Sequence, residues 1–223
     1  MKDIKKLEIK TFKDLIYELK PNYHSFDIKR DNWEKRPFWS KFEKFFKKEK
    51  SITISRFDLR NSGSNIEEYT LKTILWGYPT VGRGTNIEAL LETNNFKKLI
   101  NTLESYIENN IELDQLKKDI NRIDGLGVST MTKFIHFLNT SVDGFQSLIL
   151  DKRIIDVISL DRFVELDSLS KISYSNAINK YTEYLKLMDE ISNSIEVDHE
   201  QLEMFLFMFG RNLSQPLGGE APK

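Results

Sequence analysis

The chain has 223 residues, and its lack of cysteine excludes a disulfide framework, a thiolate zinc site, an iron–sulfur cluster and a cysteine nucleophile. Its 33 Lys+Arg against 34 Asp+Glu give a net charge of -1, yet residues 1–50 hold 15 and 9 (+6) and residues 51–223 hold 18 and 25 (-7). The length suits one large domain or two small ones, and three histidines argue against a His-rich metal site.

Residues 11–19 carry Phe12, Leu15, Ile16 and Leu19 as a helical stripe, which Pro21 stops. Residues 22–39 read as irregular and aromatic, with Tyr23, Phe26, Trp33, Phe38 and Trp39. Trp39, Phe42, Phe45 and Phe46 then share one helical face, with lysines on the other. Residues 51–59 alternate like a short strand, or run as an extended loop. Residues 65–75 have the apolar spacing of a helix. A glycine-bearing loop over residues 76–85 follows, and further helices are predicted at 86–92, 95–109, 112–122, 128–138, 151–160, 173–192 and 198–212. Asp198 with Gln201 forms a capping-box signature for the last of them. Residues 213–223, with Pro216, Gly218, Gly219 and Pro222, read as a disordered tail.

These elements predict a mainly α fold, an orthogonal helical bundle with a short β element near 51–59. The expected division is a basic, aromatic N-terminal region (1–60), a helical domain (61–212) and a flexible tail (213–223). Composition suits a soluble protein, no apolar leader follows Met1, and no apolar run approaches membrane-spanning length, so the expected setting is cytoplasmic and away from membranes.

The stretch from Ile123 to Leu138 is the most informative. A helix ends near Ile123, a turn Asp124-Gly125-Leu126-Gly127 follows, and a second helix begins near Val128. Gly125 and Gly127 permit positive φ and leave backbone N–H groups at a helix N-terminus without side chains in the way. Such a site accepts an anion, and a phosphodiester fits it. A plain tight turn between two helices is the alternative. Thirteen residues past Leu138, Asp151 stands where an apolar run meets a helix, the place of an N-cap, followed by Lys152 and Arg153.

This order of hairpin, helix, short loop and capping Asp resembles the helix–hairpin–helix DNA glycosylase superfamily. The resemblance is carried by Gly125, Gly127, Thr132, Lys133, Phe134, Leu150, Asp151 and Arg153. With Trp76, Gly77, Tyr78, Arg83 and Gly84 upstream, the chain looks like the compact bacterial 8-oxoguanine DNA glycosylase-like (OGG-like) proteins over roughly residues 65–210.

The resemblance implies a DNA N-glycosylase that flips and excises a modified purine, with DNA as partner and no cofactor beyond a monovalent cation the hairpin could hold. The catalytic candidates are Asp151, to stabilise an oxocarbenium-like sugar, and Lys133, whose amine would add AP-lyase chemistry. The family's usual lysine position, two after the second hairpin glycine, is Ser129 here, and Lys133 follows one turn later on the same face. Asp151 as a mere N-cap and Lys133 as a surface or phosphate-contacting lysine stay open. The hairpin residues Gly125, Leu126, Gly127 and Ser129, with Arg153, are expected to bind the DNA backbone. Trp76, Gly77, Tyr78, Arg83, Phe205 and Phe209 are candidates for a base pocket, with ordinary core packing as the alternative for the aromatics. His136, amid apolar neighbours, reads as a hydrogen-bonded, partly buried histidine. A second function class is a nucleic-acid- or nucleotide-binding effector of bacterial anti-phage defence that reuses the scaffold. A third is a helical interaction protein with no nucleic-acid affinity.

Overall fold

A 3-10 turn, Ile9–Phe12, leads into α1 (Lys13–Glu18) in the computed structural model, which describes residues 6–62, 65–81 and 85–214. In chain order there follow β1 (Ser25–Lys29), α2 (Arg30–Trp33), α3 (Trp39–Phe46), β2 (Ser51–Ser55), α4 (Arg56–Arg60) and α5 (Ile66–Gly77). Next come α6 (Asn86–Leu91), α7 (Thr93–Tyr106), β3 (Asn110–Ile111), α8 (Leu113–Arg122) and α9 (Val128–Phe137). The chain continues through β4 (Ser141–Val142), β5 (Phe145–Gln146), α10 (Lys152–Ser159), α11 (Tyr181–Ile195) and α12 (His199–Phe209). The fold is mainly α with two small sheets. The expected disordered tail lies outside the described residues from 215 on.

Three stretches differ from their sequence reading. Residues 25–29, expected to be irregular, form β1, paired antiparallel with β2 in the register Ile28↔Ile52. The alternation expected over 51–59 stops at Ser55, because Ser55 and Asp58 form a capping box that starts α4. The helix expected from 173 begins at Tyr181; before it, Asn176 accepts from the Ser173 amide and donates to the Lys171 carbonyl, which holds a turn in place of the first helical turns.

Two compact units divide the chain: Met1–Leu19 together with Leu150–Lys223, and Lys20–Ile149. In the first, the N-terminal segment lies against the C-terminal helices. Leu7 bridges to Phe163, and Gln201 Nε2 donates to the carbonyls of Tyr17 (2.6 Å) and Leu19 (3.0 Å). Its core holds Ile9, Ile16, Phe163, Tyr181, Tyr184 and Phe205, all fully buried. The Asp198–Gln201 capping box starts α12.

In the second unit α5 is almost wholly buried and packs on α9, where Tyr69 Oη donates to the Phe134 carbonyl at 2.6 Å. The β1–β2 hairpin lies beside α5, and β3, β4 and β5 form a short sheet around the turn after α9. The order α8, five-residue connection, α9 places the glycine-bearing turn at one end of a buried helix.

Candidate active site

The hairpin owes its shape to one glycine. Gly125 has φ +81°, and a Cβ there would stand 2.1 Å from the Asn86 carbonyl oxygen and 2.7 Å from the Leu90 nitrogen, so the backbone of α6 presses against the turn. Leu126 is buried, and its amide donates to the Ile123 carbonyl, closing the turn. Gly127 is the N-cap of α9 in extended conformation and has no side chain with which to cap it. The helix therefore begins with backbone donors and the positive end of its dipole, which favours an anion. No group of three or more His, Cys, Asp or Glu side chains able to hold a metal occurs among the described residues.

One turn into α9, Lys133 is 7% exposed, which is unusual for a lysine. Its Nζ donates to the Ser129 carbonyl and to Ser129 Oγ, both at 2.9 Å. Its stem lies under the end of α5, where a Cβ on Gly77 would be 3.2 Å from Lys133 Cδ. Glycine at position 77 thus makes room for a buried lysine stem. Next to it, Tyr78 Oη and Thr130 Oγ1 share a hydrogen bond, tying the end of α5 to the first turn of α9. Lys133, Ser129, Gly77 and Tyr78 come together although the sequence separates them into two segments.

Trp76 is 2% exposed, with its ring in edge contact with His24, Phe26 and Phe137 and the Arg56 guanidinium 5.6 Å from its centre. Its indole Nε1 is buried with no hydrogen-bond partner among the described residues. Arg83 lies outside the described residues. His136 is fully buried. Its Nδ1 lies 2.8 Å from the Ser147 carbonyl and its Nε2 3.2 Å from Arg60 Nη2. A carbonyl only accepts and a guanidinium only donates, so His136 is the neutral tautomer protonated on Nδ1. A cavity of about 350 Å³ opens near the far end of α9, lined by Arg60, Tyr69, Phe137 and Asn139 but by none of the predicted site residues.

In the other unit, Asp151 is the N-cap of α10. Its Oδ1 accepts from the amides of Arg153 (2.9 Å) and Ile154 (3.0 Å). Arg153 is exposed, and its guanidinium stacks 4.7 Å from the centre of the half-buried Phe207 ring on α12. Phe205 is fully buried, clustered with Phe12 and Phe163; Phe209 is half-buried with its ring 6.1 Å from that of Phe205. One turn before Phe207, Glu203 is a fully buried carboxylate. Sequence reasoning passed over Glu203; the signal was a charge inside the apolar run of α12.

Four groups stand out: a glycine N-cap at the start of the second helix of a helix–hairpin–helix, a buried lysine one turn into that helix, a capping aspartate, and an arginine stacked on the Phe207 ring. No helix among the described residues is long and apolar enough to cross a membrane. No curated protein and no solved structure matches the chain. A family model described as "Putative 8-oxoguanine DNA glycosylase OGG-like protein" matches residues 19–207, which include every one of these groups, and the chain belongs to that family.

Proposed function

We propose that the protein is a DNA N-glycosylase that excises a modified purine, with Lys133 as its amine nucleophile and Asp151 as its carboxylate. The observation that carries this reading is the burial of Lys133. A lysine costs free energy to bury, and a surface or phosphate-contacting lysine has no need of a glycine at position 77 to admit its stem. Lysine attacks only as the free amine. The Ser129 oxygens aim Nζ.

In the proposed step the Lys133 Nζ–C1′ bond forms as the bond from C1′ to the base breaks. The base leaves with the electron pair and gains a proton, and the Asp151 carboxylate stabilises the positive charge that develops on the sugar. Loss of the amine proton and ring opening give a Schiff base, from which strand cleavage follows by β-elimination. The α9 N-terminus holds a phosphate without reading sequence, so selectivity rests with the base pocket. Phe207, half-buried with Arg153 over its ring, is the candidate to stack on an extruded purine.

The test uses duplex and single-stranded oligonucleotides containing 8-oxoguanine, treated with borohydride during the reaction. A covalent adduct is expected with the native protein and none with Lys133→Ala. Base release that survives Lys133→Ala but vanishes with Asp151→Asn assigns a water-using glycosylase without lyase chemistry. Absence of release and of adduct from the native protein, across a panel of modified purines, overturns the proposal.

A further inference from the structure

The unit that holds the hairpin also holds the most basic stretch of the chain. Between residues 29 and 50 there are nine Lys+Arg against four Asp+Glu. The structure gives this stretch a defined form. Phe38 and Phe42 are buried against Trp33 and Phe46 is buried against the half-buried Trp39, so α3 turns most of its large apolar side chains inward and its lysines outward. Arg30 braces the turn after α3: its amide donates to the Lys50 carbonyl and its Nη1 to the Lys47 carbonyl. Lys35, Lys44 and Lys48 are exposed and form no ion pair among the described residues, although Lys44 lies within electrostatic reach of Glu68.

This basic ridge is joined to the hairpin through α6. Arg36 Nη1 is 3.8 Å from Glu88 Oε1 on α6, and the backbone of the same helix, at Asn86 and Leu90, presses against Gly125. Lys41 Nζ stands 4.6 Å from the centre of the Phe96 ring at the start of α7, which follows α6 directly. The cations of α3 and its preceding loop therefore continue from the anion site across one short helix.

We propose that Lys35, Arg36, Lys41, Lys44 and Lys48 form a second phosphate track that holds the nucleic-acid backbone beyond the hairpin without reading sequence. A polyanion with one charge for each 3.4 Å of rise along a strand matches a ridge of spaced cations. An acidic protein partner would call for an apolar centre to the interface; here Phe38, Phe42 and Phe46 are buried, and the half-buried Trp39 and Phe45 lie under Arg30 and Lys44. The track rests on the glycosylase reading only for the choice of polyanion, and it accounts for binding strength rather than for chemistry.

The experiment measures binding of the full chain to an undamaged duplex by fluorescence anisotropy from 50 to 300 mM salt. The variants are the native protein and the triple substitution Lys35→Gln/Lys44→Gln/Lys48→Gln, with thermal unfolding as the check on folding. Each lost phosphate contact removes about 0.9 from the slope of log affinity against log salt, so the triple variant should lose roughly 2 to 3 in slope and at least about tenfold in affinity at 100 mM. If that variant unfolds at a lower temperature than the native protein, the single substitution Lys48→Gln, in the turn beyond α3, replaces it, with an expected loss of about 0.9 in slope. An unchanged slope in a folded variant overturns the track. Lysine-dependent binding of poly-glutamate with lysine-independent binding of duplex overturns it in favour of an acidic protein. Base release measured alongside separates the two readings. Excision with an unchanged slope removes the track and leaves the enzyme; a lysine-dependent slope without excision leaves the track and removes the enzyme.

Discussion

Asp151 serves α10 whatever else it does. Two amides of the first turn donate to its Oδ1, so its removal costs the helix a cap. Asparagine keeps the acceptor and loses the charge. Asp151→Ala should therefore cost about 0.5–2 kcal/mol in urea unfolding, whereas Asp151→Asn should stay close to native stability. If both variants lose base release, only the alanine variant loses stability as well, and the structural and chemical roles separate. A second prediction concerns two tyrosines. Burial pushes the Tyr69 phenol well above the usual tyrosine range, and burial together with its bond to Asp119 does the same for Tyr106. Both bind their proton more tightly when folded, so the stability they contribute is fully present below about pH 10 and is lost as pH rises beyond it. In an alkaline titration followed by tyrosinate absorbance, Tyr69→Phe and Tyr106→Phe should each remove one residue's share of the signal that develops only as the chain unfolds. At this scale the sequence was uneven. It could place Lys133 one turn beyond Ser129, since helix spacing is periodic. It could not reveal that Lys133 is buried, because that depends on Gly77, a residue on another helix.

At the level of elements, the helix–hairpin–helix was the most legible part. The predicted helices 112–122 and 128–138 compare with α8 at Leu113–Arg122 and α9 at Val128–Phe137, because paired glycines interrupt two clear apolar periods there. β1 was missed although Ser25-Phe26-Asp27-Ile28-Lys29 alternates polar and apolar and its burial follows that period: the signal spans only five residues amid irregular aromatic sequence, and the strand is held by β2, more than twenty residues away. The start of α11 was missed for a different reason. Residues 173–180 have helix-compatible spacing, but Asn176 offers the backbone a competing set of hydrogen bonds. The hairpin also invites a direct test. Gly125→Ala adds a strained positive φ and a methyl 2.1 Å from a backbone oxygen that belongs to another helix. It should cost roughly 2–6 kcal/mol in chemical denaturation, the sum of backbone strain and overpacking. A loss under 1 kcal/mol would mean that α6 does not press on the turn as described.

Over the whole molecule, the division of the chain runs through its topology rather than along its length. Residues 1–19 belong to the same unit as residues 150–223, held by Phe12 against Phe205, by Lys13 with Glu196 and by Gln201 on the carbonyls that end α1. Nothing local in a sequence announces such a partnership, since the two stretches share no motif and lie at opposite ends. Deleting residues 1–19 removes Ile9 and Ile16, both fully buried, from that core. At about 1.5–3 kcal/mol for each buried side chain, the loss should reach roughly 3–6 kcal/mol. Hydrogen exchange should show it as faster opening of α11 and α12, with α5 and α9 far less affected.

The same arrangement sets an order of events during synthesis. The unit spanning residues 20–149 leaves the ribosome as one continuous stretch and can close on itself as soon as Ile149 emerges. Residues 1–19 are made before it, whereas the C-terminal helices that complete their unit are made last. A nascent chain would thus carry a closed hairpin and its buried lysine while the unit bearing Asp151 is still incomplete. A bulky N-terminal fusion, by burdening residues 1–19, should slow maturation of the last-made unit more than an equal fusion at the C-terminus.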